Sequence, residues 1–191
     1  MLFEVDDQSR VWSHSQFAGF NRYDGKDAQE LANDIIAFTT DENFPAAITR
    51  FGRIVRYWGV LAEVTILSLT ITTNEYGYDR IEYCMIADNI FSFPSNPAYP
   101  WRAETGDEIT AFAYGGAAFF EQGGRYLLLL DPSEGGPFIN DSAAIINADG
   151  TITAESQQEI YNAFLEFNGY TVAQMAEEAE RAKVWHERFA K

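Results

Sequence analysis

The groups in this 191-residue chain best suited to metal binding, nucleophilic attack or proton transfer are two histidines (His14 and His186), one cysteine (Cys84) and 29 acidic side chains. A zinc centre needs Cys and His ligands at short spacing, and neither histidine has a second His or Cys at such a distance. The Asp-x-Asp spacing of a calcium loop is absent, although the acids and glycines between Asp131 and Asp149 leave an all-oxygen calcium site as an alternative. Nucleophilic catalysis requires a Ser or Cys held beside a base, and the chain has no Gly-x-Ser-x-Gly element. Glu104, Asp107 and Glu108 lie close enough in sequence to act as an acid and base pair, but so many acids make such a grouping unremarkable. Gly115-Gly116, Gly123-Gly124 and Gly135-Gly136 lack the following Lys of a phosphate-cradling loop, so turn geometry accounts for them. No catalytic residue, metal or cofactor is therefore assigned. An enzyme built on a carboxylate site is kept only as an outside reading.

Four aromatic residues in turn-rich segments suggest binding instead: Tyr76 and Tyr78 at the tip of an expected hairpin, and Tyr99 and Trp101 among Pro94, Pro97 and Pro100. Tyr and Trp offer large contact area at low entropic cost, which suits a recognition surface; the competing account is that they close one end of the core. The formal charge of −16 repels phosphate backbones and anionic lipid, so direct nucleic-acid binding is not expected. Its acids are spread along the chain, with Arg50, Arg53 and Arg56 as the one basic run. Scattered acid serves solubility; the alternative is an acidic inhibitor or nucleic-acid mimic that binds a basic protein.

The elements that would position these residues follow from periodicity. Asp27 to Phe38 places Leu31, Ile35 and Phe38 at helical spacing behind an irregular aromatic arm. The apolar stretch from Ile48 to Thr73 becomes a long alternating strand in its later half, bent near Gly59, and a turn at residues 74–79 makes a hairpin with a strand over Arg80–Phe93. Cys84 lies in that second strand and is expected to be a small buried hydrophobe with an inert thiol. A third strand spans Glu108–Tyr114, and Arg125–Leu130, apolar on both faces, reads as a central covered strand. After a short apolar piece at Ala143–Asn147 the period changes, and two helices follow: one over Glu155–Phe167, and one capped by Thr171 with a stripe of Val172, Met175, Ala179, Ala182, Trp185 and Phe189. A single domain is expected, with an N-terminal arm and helix over 1–50, a β-barrel core over 51–153 and a helical pair over 154–191. A chain of this size buries about 70% of its unfolded surface, so the core is ample.

Gly106-Asp107-Glu108-Ile109-Thr110, Gly115-Gly116, Gly123-Gly124-Arg125-Tyr126 with the four leucines and Asp131 after it, and Asp149-Gly150-Thr151-Ile152 together resemble a pattern in small uncharacterised Gram-positive cell-surface proteins with an OB-like β-barrel. The likeness covers the middle third of the chain, and Leu129 stands where that pattern has Phe. It implies a barrel and an extracytoplasmic home, and brings no catalytic residues with it. The expected fold is thus α+β: an antiparallel β-barrel or strongly curved sheet, OB-like, with one N-terminal helix and two C-terminal helices. No apolar run reaches the roughly 20 residues that cross a bilayer, and the N-terminus lacks a charged-then-apolar signal pattern. An extracellular or cell-surface location is expected if a leader has been removed, and a cytoplasmic one otherwise. The expected function is non-catalytic binding of a protein or glycan ligand.

Overall fold

Short polar side chains shape the N-terminal residues. The computed structural model describes residues 3–13, 24–57, 59–73, 77, 79–92, 101–114, 120–133, 136–155 and 162–189, and divides the chain into two compact units, residues 1–44 and 45–191. In the first unit, β1 (Phe3–Val5) and β2 (Val11–Ser13) form an antiparallel ribbon where an irregular arm is expected. The Asp6 carboxylate accepts hydrogen bonds from the Gln8 and Arg10 backbone N–H groups, both at 2.9 Å, and turns the chain between them. Asp27 caps the expected helix, α1 (Ala28–Thr39), by accepting from the Gln29 and Glu30 N–H groups, and Leu31 is buried with Val11.

Two helices that the sequence reading misses open the second unit: α2 (Phe44–Ile48), which straddles the division, and α3 (Arg50–Tyr57). In α3, Arg50 and Arg53 face solvent, while Phe51, Ile54 and Val55 are buried. Arg50 and Arg53 of the basic run therefore share the solvent face of an amphipathic helix. Gly52 lets these helices approach closely, because a Cβ there would stand 2.2 Å from the Ala46 carbonyl oxygen and 3.0 Å from the Ala182 Cβ.

The expected hairpin is β3 (Val60–Thr73) paired antiparallel with β4 (Asp79–Ser92). On its other side β4 pairs with β5 (Glu108–Tyr114), while β3 pairs with β6 (Arg125–Ser133) and β6 with β7 (Gly136–Ile146), all antiparallel. A short β8 (Ile152–Thr153) extends the sheet beyond β7. The barrel closes where β5 meets β7 in parallel, with Phe112 opposite Phe138. The fold is α+β and OB-like as expected, but the barrel is mixed rather than antiparallel. Neighbours around a ring of five strands cannot all alternate in direction, so one pair has to run parallel.

Two apolar layers hold this arrangement together. Ala62, Val64, Ile66, Tyr83, Met85, Leu128 and Leu130 fill the barrel. Outside it, Leu61, Leu127 and Leu129 pack against Phe51, Phe164, Phe167 and α4 (Val172–Phe189). Leucines 127–130 are all fully buried, alternately in one layer and the other, as expected of a covered strand. Each such side chain contributes about 1.5–3 kcal/mol relative to an exposed one.

Thr171 caps α4 reciprocally: its hydroxyl accepts from the Gln174 N–H at 3.2 Å, and its own N–H donates to Gln174 Oε1 at 2.8 Å. The other expected C-terminal helix is not formed within the described residues. Residues 156–161 lie outside them, and the rest of that segment is a turn followed by a 3₁₀ turn, Leu165–Phe167. An asparagine side chain takes backbone partners within it: Asn162 donates to the Glu155 carbonyl at 3.2 Å and accepts from the Phe164 N–H at 3.0 Å, while Asn168 both accepts from and donates to the Ala154 backbone just before it.

Candidate ligand-binding face

Ile81, Tyr83, Met85 and Ala87 of β4 point into the barrel, so Arg80, Glu82, Cys84, Ile86 and Asp88 point out. Register extends this outer face sideways. Glu82 sits between Thr70 of β3 and Phe112 of β5, Cys84 between Ser68 and Thr110, and Ile86 is opposite Glu108. Ser68, Thr70, Thr72, Glu82, Glu108 and Thr110 are exposed. The helices and the 3₁₀ turn pack over Leu61, Leu127 and Leu129, on β3 and β6.

The Cys84 thiol lies on the outer face, half-buried rather than buried as expected, because the β4 register turns even-numbered residues outward. It donates to Glu108 Oε1 at 3.1 Å, and that carboxylate holds the thiol above its ordinary pKa. At one end of the face the Arg80 guanidinium lies 3.7 Å over the Phe112 ring, whose centroid is 6.0 Å from that of Phe138. Arg80 makes no ion pair among the described residues, and its buried Nε has no hydrogen-bond partner. It is one of three basic residues between Leu61 and Gly150, against thirteen acids. Towards the other end, the Thr65 hydroxyl donates to Asp88 Oδ2 at 2.7 Å. Beside it is a carboxylate the sequence reading overlooks: Glu63, only 6% exposed, is bridged by Arg125 and accepts from Asn89 Nδ2 at 2.7 Å. It is a fully partnered charge, which suits cross-strand support.

Of the four aromatic residues singled out in the sequence, Trp101 is the one among the described residues. Tyr76, Tyr78 and Tyr99 lie outside the described residues. Trp101 is half-buried and packs against the barrel core, in keeping with the core-closing account. The connection that carries Tyr76 and Tyr78 joins β4 at Asp79, while the one that carries Tyr99 leaves β4 at Ser92. Fourteen residues of strand separate these points, about 45 Å of chain at about 3.3 Å per residue. Of the acids weighed as a catalytic pair, Asp107 accepts from the Glu104 N–H at 2.8 Å and shapes the turn before β5, while Glu108 is occupied by Cys84.

Among the described residues no three His, Cys, Asp or Glu side chains are arranged to hold a metal ion. His14 lies outside those residues, and His186 is buried on α4 with its ring 4.9 Å from that of Trp185. No helix is long and apolar enough to cross a membrane among the described residues. Compared with protein-family models, with curated proteins and with solved structures, the chain has no match in any of the three.

Proposed function

We propose that this chain is a non-catalytic binding module that takes a glycan or protein ligand on the outer face of β3, β4 and β5. The observation that carries this reading is the division of the barrel surface. The outer faces of β6 and the first half of β3 are covered by helices and the 3₁₀ turn, whereas Thr70, Glu82, Glu108 and Thr110 present hydroxyls and carboxylates to solvent. Five-stranded barrels of this topology bind oligosaccharides and oligonucleotides on the face of their second and third strands, here β4 and β5. The net charge of −16 disfavours the oligonucleotide. Thr and Ser hydroxyls match sugar hydroxyls or a peptide backbone, and the Arg80–Phe112 stack offers a flat surface at one rim. Tyr76 and Tyr78 remain proposed contacts because their connection joins the two longest strands of the face. A glycan ligand accords with the cell-surface setting that the sequence resemblance implies.

The test is a glycan and peptide array, followed by calorimetric titration of any hit against variants. Glu82→Ala and Thr110→Ala are expected to weaken binding at least about tenfold, the loss of roughly one hydrogen bond to a charged or polar partner, while Glu104→Gln leaves it unchanged. Binding of a basic protein that collapses in salt or on acid neutralisation, yet ignores Thr110→Ala and Arg80→Ala, would replace this reading with that of an acidic inhibitor.

A further inference from the structure

Between Leu67 and Thr72, β3 runs with β4 on one side and, among the described residues, no strand on the other. Its pairing with β6 ends at Thr65 opposite Arg125, and the last bonds on that side join Ile66 to Gly123 and Gly124. At that point the β3–β4 register shifts between Ile66 and Ser68, a bulge of the kind that bends a strand. Beyond it Leu67, Leu69 and Ile71 are 36, 37 and 49% exposed. Natural proteins protect such edges with Lys, Pro or inward-pointing charge, and Leu67-Ser-Leu-Thr-Ile-Thr72 contains none of these. A backbone edge of high β-propensity, free of charge and proline, is a template for one more strand.

We infer that this edge pairs with the same edge of a second copy, antiparallel about a two-fold axis at Thr70. Two observations select this occupant. First, the edge is uncharged in a molecule of net charge −16, so two copies meet there without opposing carboxylates. Second, the sequence is self-complementary. The two-fold places Leu69 opposite Ile71 on one face, and Thr70 opposite Thr70 and Ser68 opposite Thr72 on the other. A register centred two residues earlier would enlist Thr65 and Ile66, which β6 and its preceding turn already occupy. The outer faces of the two copies then join across the axis into one continuous surface.

Sedimentation velocity of the full chain over a range of concentrations tests the inference. A reversible dimer is expected, its dissociation constant raised at least about tenfold by Ile71→Lys, while Ile145→Lys, at an exposed position on β7, leaves it unchanged. Should Ile71→Lys disturb folding, Thr70→Cys in a Cys84→Ser background gives an independent reading. Opposed residues in a two-fold strand pair have Cβ atoms about 4.5–5.5 Å apart, close enough for an intermolecular disulfide on mild oxidation. Thr110→Cys in the same background is expected to form no cross-link under that oxidation. A chain monomeric at every concentration, or a dimer that Ile71→Lys does not weaken and Thr70→Cys does not cross-link, overturns the inference.

Discussion

Glu108 controls the chemistry available to Cys84. By accepting the S–H at 3.1 Å, it favours the thiol over the thiolate, and Glu82 on the same face adds like-charge repulsion; only Ser68 opposes them. The thiol pKa is raised, so the nucleophilic thiolate forms only at a higher pH than for an ordinary cysteine. Cys84 is accordingly expected to react slowly with a thiol reagent in the native protein near neutral pH, despite lying on the outer face. Glu108→Gln removes the charge and lowers the thiol pKa towards its ordinary value. Native labelling is then expected to quicken severalfold, read as a pseudo-first-order rate at constant pH. An unchanged rate would mean that strand packing, and not Glu108, limits the thiol.

At the scale of elements, the one parallel junction is the most demanding part of the barrel. Gly136 opens β7 at φ +109°, a conformation that other residues rarely adopt, and a Cβ there would lie 2.8 Å from the edge of the Phe112 ring. Gly136→Ala is expected to cost about 1–3 kcal/mol, combining backbone strain with a displaced ring, measurable as a lower midpoint in urea at unchanged slope. Strands β3 to β6 were legible in the sequence because alternation and the double-sided leucine run record burial directly. Helix α3 was not, since Arg50, Arg53 and Arg56 read as a charge run until Phe51 and Ile54 are seen between them. The parallel junction was invisible too, because it joins Phe112 to Phe138 with no turn to announce it. The candidate face was half legible: β4 shows which of its residues alternate, but which Thr stands beside Glu82 depends on registers that no single strand encodes.

For the whole molecule, 29 acids against 13 bases mean that folding concentrates a net charge of −16 into a small volume. Self-repulsion of that kind opposes the compact state. Raising the salt from about 0.01 M to about 0.15 M shortens the Debye length from about 30 Å to about 8 Å, and the melting temperature is expected to rise by a few degrees over that range. A melting temperature that stays level or falls would show that local pairs such as Glu63–Arg125 already compensate the field. The manner of closure also bears on how the barrel forms. Strands β5, β4, β3, β6 and β7 are joined into one antiparallel sheet without any need of the β5–β7 contact, which closes its two outer strands on each other. The cylinder is thus a curled ribbon with a clasp, and the clasp is expected to be the seam at which the barrel opens first without unravelling, read as faster amide exchange beside Phe112 and Phe138 than along the middle of β3.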